Sequence, residues 1–310
     1  MIVCPLVFLA GFVDAIAGGG GLISLPAYMF AGVPVHNAIA TNKLSSCTGT
    51  VVSTWRLIKN KRVDWYFVPG TVVCALAGSV IGANLALIIS DEILKTVLVV
   101  LLPIVAFCVL RDKNLEVIIP EGMTRRKQYI IAAACSLGIG IYDGFYGPGT
   151  GTFLLLAFTK LAKMDLEKST GNVKAVNLAS NISALITFIL AGKILWTLGL
   201  AASCFSIAGH YTGAGMVMHN GVKIIKPSIG VAADKSYIGN VVKNKFWFAA
   251  GKKMLPKRGL SWGVVFGVFL FSLVFLLQDI FLCLLSSSTN PFRTSSVLSA
   301  SPARQIRISY

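Results

Sequence analysis

Residues 12–26 read FVDAIAGGGGLISLP and residues 38–46 read AIATNKLSS. A second version lies far downstream, YDGFYGPGTGTF at 142–153 and VKAVNLASN at 173–181. Asp14 and Asp143 are 129 residues apart, as are Thr41 and Thr170; Asn42 and Asn172 are 130 apart, Lys43 and Lys174 131. Ala77-Gly78 and Gly82-Ala83 return 131 residues later as Ala208-Gly209 and Gly213-Ala214. Two inserted residues account for the drift. The chain reads as a duplicated unit of about 130 residues, and such self-similarity decides a fold before any local pattern does.

The composition places that unit in a membrane. Apolar residues make up 55% of the 310 and charged ones 13%, about half the usual charged share. Mean hydropathy is +0.76, and apolar runs of about 20 residues recur. The reading is an all-α polytopic membrane protein of two four-helix repeats, about eight transmembrane helices in all. Repeat 1 covers 1–110, a basic connector 111–127 and repeat 2 128–229. Crossings are expected over 36–55, 64–89 and 91–110, then over 168–190 and 194–218. Four glycines cost roughly 1 kcal/mol each in a helix interior. Residues 2–30 are therefore expected to form two half-helices meeting near mid-membrane, and 128–142 with 152–161 to do the same. Such breaks are tolerated only inside a bundle or beside a wet cavity. Gly78-x-x-x-Gly82 and Gly209-x-x-x-Gly213 read as small-residue seams. Four crossings per repeat, an even number, predict parallel repeats related by an axis along the membrane normal.

Residues 230–310 differ from the rest. They hold 10 Lys/Arg against 2 Asp/Glu, half of the net charge of +16. The helix that should follow Ile224-Ile225-Lys226 is missing. This stretch reads as an atypical basic tail with one apolar segment at 262–285 and a Ser-rich end. Basic loops at a membrane face explain the net charge better than nucleic-acid binding does, and their distribution favours a cytoplasmic N-terminus. The seven cysteines form no CxxC pair, and the three histidines show no metal-ligand spacing. No disulfide framework, metal or other cofactor is expected. No basic stretch or cleavage pattern opens the chain, so its start reads as helix 1.

Lys43 and Lys174 are the functional candidates. A charge at the bilayer centre costs about 2.5–3.5 kcal/mol by insertion scales; snorkelling to the interface is the structural alternative. Half-helices starting after Gly21 and Gly151 would turn unpaired N–H groups towards an anion. The candidate anion site takes Gly18, Gly19, Gly20, Gly21, Thr41, Asn42 and Lys43 from repeat 1. From repeat 2 it takes Gly147, Pro148, Gly149, Gly151, Thr170, Asn172, Lys174 and Asn177. Close helix packing would explain the glycines alone. Asp14 and Asp143 each stand four residues before a glycine break, placed either to take a proton or to pair with the lysines.

These motifs, followed by LAGKILW at 190–196, resemble the sulfite exporter TauE/SafE family of integral membrane transporters, also called the 4-toluene sulfonate uptake permease family. The similarity covers residues 1 to about 229. The resemblance implies a bacterial-type, multi-pass protein of the cytoplasmic (inner) membrane with about eight helices. It implies transport of small sulfur-containing or organic anions, such as sulfite, sulfoacetate or sulfonates. The partners are then a small anion and the lipid bilayer. The chain is short ahead of the Asp14 motif, and the family's last helix has no counterpart after 229. A membrane-embedded enzyme and a structural or assembly subunit are the other two classes. No Ser/His/Asp set, metal cluster or HExxH motif supports the enzyme.

Overall fold

The computed structural model describes residues 2–111 and 123–220. Expectations for most of the connector, for the end of repeat 2 and for 230–310 lie outside the described residues. Within them the chain is helical and has no strand. In order it forms α1 (Val3–Ala17), α2 (Gly21–Phe30), α3 (Val35–Lys59), α4 (Val68–Ile88) and α5 (Asp91–Arg111). Then come α6 (Arg125–Phe145), α7 (Thr150–Leu156), a π-turn (Ala157–Leu161), α8 (Leu166–Leu190) and α9 (Trp196–Asn220). Among these, α4 and α8 are long and apolar enough throughout to cross a membrane, with mean hydropathies of 2.0 and 1.6. α3 and α9 match α8 in length at 25 residues but bury polar side chains along their course.

The glycine runs do break their helices, and the chain then reverses. Gly18 ends α1 in the left-handed region, at φ +80°, which a side chain rarely adopts. A Cβ on Gly20 would stand 2.3 Å from the carbonyl oxygen of Ala10. Ile23 packs with Ala10 and Val13, and Tyr28 returns to the level of Cys4. So α2 runs back along α1. In the second copy Gln128 Nε2 donates to the carbonyl of Lys163 at 3.0 Å, tying the start of α6 to the end of the π-turn. Each expected broken crossing is instead a re-entrant hairpin, because the left-handed glycine turns the backbone about rather than letting it resume its line.

That reversal changes the parity. With the hairpin returning to its starting side, α3, α4 and α5 are the through-going helices of the first unit. The directions of packed helices agree. α3 and α8 run antiparallel: Lys43 meets Asn181, Thr54 bonds the carbonyl of Lys174, and Lys61 accepts from Lys168. Both seams pack parallel helices. Gly78 and Gly82 of α4 lie against Leu137 and Ile141 of α6; Gly209 and Gly213 of α9 lie against Phe8 and Phe12 of α1. Matched positions thus make matched contacts, with the first helix of each half swapped onto the third helix of the other. Matched helices point in opposite directions, so the expected axis along the membrane normal is overturned. The relating axis lies across the helices.

The structure also locates the two extra residues. The N–H of Leu195 donates to Thr41 Oγ1, and the N–H of Asp64 donates to Asn172 Oδ1. Thr41 therefore matches Asn172, not Thr170, at an offset of 131. The start of α2 matches the start of α7 at 129. The insertion falls between them, where the second unit carries its π-turn.

The hairpin tips touch. A Cβ on Gly18 would stand 2.5 Å from the backbone of Gly151, and Thr152 Oγ1 donates to the carbonyl of Ala17 at 2.6 Å. Gly18→Ala combines a positive φ with a backbone clash. It should destabilise by about 2 kcal/mol or more. Gly138→Ala sits in an open helix interior and should be neutral or stabilising by up to about 1 kcal/mol. Thermal unfolding of the two purified variants in detergent checks both values.

Candidate functional site

The two hairpin tips and the middles of α3 and α8 enclose a polar cavity of about 30 Å³. That is room for about two waters at 10–15 Å³ each. Its wall includes Asp14, Asn42, Lys43, Asp143, Asn177 and Asn181. The lysines do not snorkel. Lys43 is 2% exposed and Lys174 3%, deep within their helices.

Each lysine meets the aspartate of the other half. Lys43 Nζ lies 2.8 Å from Asp143 Oδ2, off the axis of a hydrogen bond, and donates to Asn181 Oδ1 at 3.0 Å. Lys174 Nζ donates to Asp14 Oδ2 at 2.8 Å and also bonds the carbonyl of Asp14. Each aspartate also serves its own glycine break. Asp14 Oδ1 accepts from the N–H of Gly20 at 3.4 Å, and Asp143 Oδ1 accepts from Thr150 Oγ1 at 2.8 Å. A carboxylate thus occupies the ground between a lysine and the opening of a half-helix, which an oxyanion would also favour.

The sequence-predicted residues divide into two groups. Gly18, Gly20, Gly21, Asn42, Gly147, Gly151 and Asn177 line the cavity with Lys43 and both aspartates; Lys174 reaches it through Asp14. Asn42 brings a buried amide whose oxygen has no partner. Turned about its last bond, that amide offers N–H groups to the same space. The others hold the frame. Gly149 caps α7 at φ +81°, Pro148 packs on Gly21, and Gly19 faces away from the cavity wall. Thr170 Oγ1 bonds the carbonyl of Leu166 within its own helix. Thr41 and Asn172 hold the turns that precede α9 and α4.

Three further residues were missed. Asn181 lies four residues after Asn177 on the face of α8 that carries Lys174, a spacing that was readable. Thr150 stands inside the quoted glycine motif. His210, judged only against metal spacing, reaches Asp14 Oδ2 through Nε2 at 3.2 Å. Its signal was its place inside the Gly209–Gly213 seam.

The family model for the sulfite exporter TauE/SafE matches residues 3–233. The chain belongs to this family. Among its relatives is the probable membrane transporter protein YfcA of Escherichia coli strain K12, 36% identical over 230 residues, covering 73% of this chain and 83% of that one. The probable membrane transporter protein ORF9 of a Sinorhizobium species is 34% identical over 226 residues, covering 73% and 86%. A probable membrane transporter protein of Haemophilus influenzae is 33% identical over 242 residues, covering 78% and 93%. No solved structure matches the chain. TauE/SafE proteins and these relatives are membrane transporters, not enzymes. The helical architecture, its buried charges and its small-molecule cavity fit a lipid environment and a small-molecule substrate.

Breaking one crossed pair leaves a buried charge alone. Lys43→Met should therefore cost about 3–5 kcal/mol. Lys43→Met with Asp143→Asn should recover most of that, because both charges are then gone. Thermal unfolding of the single and double variants reads the difference.

Proposed function

We propose that this TauE/SafE protein is a secondary transporter of small anions of the sulfite or sulfonate type. The carrying observation is the pair of crossed lysine–aspartate contacts at the touching tips of two glycine hairpins. Each lysine is neutralised by a carboxylate that acts as a resident anion. A substrate oxyanion enters by taking the carboxylate's place on Lys43 or Lys174. The 30 Å³ cavity is closed around those groups. It suits a small oxyanion better than a bulky aromatic sulfonate, which needs the hairpins to part.

The geometry supports an inverted-repeat transporter, a design that places its site at discontinuous helices near mid-membrane. Two matched halves pointing opposite ways can exchange conformations, and that exchange opens the shared site to one face and then the other. The basic residues support one orientation. Arg56, Lys59, Lys61, Arg62, Arg125, Arg126, Lys127, Lys163 and Lys168 lie at one end of the bundle, against Lys95 and Lys193 at the other. The basic end is cytoplasmic by the positive-inside rule. The α1–α2 hairpin then opens to the opposite side, which reverses the cytoplasmic N-terminus expected from the sequence. The earlier count assumed that α1 and α2 crossed as one helix.

Sulfite flux into proteoliposomes tests the activity. The parent should transport, and Lys43→Ala and Lys174→Ala should each lose most of that flux while still inserting. Lys→Arg should not restore it, since the forked guanidinium does not fit the ammonium's place. Parental flux in both alanine variants would sink the anion site. For orientation, a membrane-impermeant thiol reagent on intact cells should label Ser90→Cys and spare Asn60→Cys in a cysteine-free background. The reverse pattern would restore the opposite topology.

A further inference from the structure

Asp14 and Asp143 hold matched positions, yet their surroundings differ. Asp14 faces His210 of α9. The equivalent position near Asp143, 131 residues earlier, is Ser79, whose hydroxyl donates to the carbonyl of Ser180 at 2.6 Å. Space for the imidazole is built in. A Cβ on Gly11 of α1 would stand 2.7 Å from Nδ1, and one on Gly49 of α3 would stand 2.2 Å from it. The histidine is 2% exposed.

The contacts of the ring carry the inference. Nδ1 lies 3.0 Å from the carbonyl oxygen of Ser206, and Nε2 lies 3.2 Å from Asp14 Oδ2. Carbonyl and carboxylate oxygens accept only. An imidazole with one proton would set a lone pair against one of those oxygens. Ser206 Oγ, 3.3 Å from Nδ1, is the more distant neighbour. Both contacts are satisfied when the ring carries two protons, or when a protonated Asp14 donates to Nε2. Either way the pair holds one proton more than a neutral ring beside a carboxylate.

We propose that His210 and Asp14 together hold the proton that couples to anion movement, while Asp143 remains an ion-pair partner. This rests on the anion-transport reading above. The charged groups around His210 are Asp14 on α1, Lys174 on α8 and, across the cavity, Lys43 on α3 and Asp143 on α6. With the extra proton the site holds one positive charge in excess, which one monoanion balances. Without it the charges cancel, and an anion is left unpaired in a buried site. Proton and anion therefore bind together, each tightening the other by the same factor.

Calorimetric titration of the purified full chain with methanesulfonate tests this, in two buffers of different ionisation enthalpy. Methanesulfonate keeps its charge over the working range, so any proton uptake belongs to the protein. About one proton per anion is expected for the parent and none for His210→Gln. Binding without uptake in the parent, or uptake that survives His210→Gln, overturns the role of His210 and leaves the anion site standing. No binding in the parent overturns the anion site instead. 15N NMR of histidine-labelled protein then decides the proton question by itself. The signal missing from His210→Gln should belong to a ring protonated at both nitrogens or at Nδ1 alone. A ring protonated only at Nε2 overturns the proposal.

Discussion

Two buried ion pairs hold the fold and the site in the same place. Lys43 with Asp143, and Lys174 with Asp14, each join one half of the chain to the other. Charges this deep are tolerated only when paired and hydrogen-bonded. Neither half can satisfy its own lysine, because each aspartate sits on a hairpin that packs against the partner half. The seams enforce the exchange. Glycines at 78, 82, 209 and 213 let α6 and α1 approach with backbone in contact, which places each hairpin tip, and so each aspartate, beside the foreign lysine. The halves are therefore obligate partners, and the site exists only in their union.

Much of this was legible in the sequence. Duplication, glycine breaks, seams and intramembrane lysines all have local signatures, and each named residues that the structure uses. Direction was not legible. A run of four glycines says that a helix stops, but whether the chain resumes or reverses depends on a single left-handed residue at Gly18 and on the close approach of Gly20 to Ala10. Crossing parity, repeat orientation and membrane sidedness all follow from that one angle. The errors in them therefore had a single origin.

The polar residues show a second limit. Thr41 and Asn172 looked like neutral ligands beside the lysines. On a helix an adjacent residue points about 100° away, so both face the loops that lead into α9 and α4 and cap those turns. Asn177 and Asn181, three and seven residues after Lys174, share its face. Helical spacing discriminated better than nearness in sequence. His210 escaped because its partner Asp14 lies 196 residues away, and no local pattern reports such a contact.

Symmetry and its loss divide the work. A two-fold relation between opposed halves gives two conformations of nearly equal energy, which a carrier needs in order to face either side. A perfectly symmetric site would bind its anion equally well in both and could not tell a proton from none. The copies have diverged where that matters. His210 stands where the other half has Ser79, and Asn177 and Asn181 stand where it has Ser46 and Thr50. One side gains a group that can carry a proton; the other gains amides that hold Lys43 in place. The frame can stay two-fold while the chemistry inside it does not, and a ligand shifts a two-state equilibrium only through such a difference.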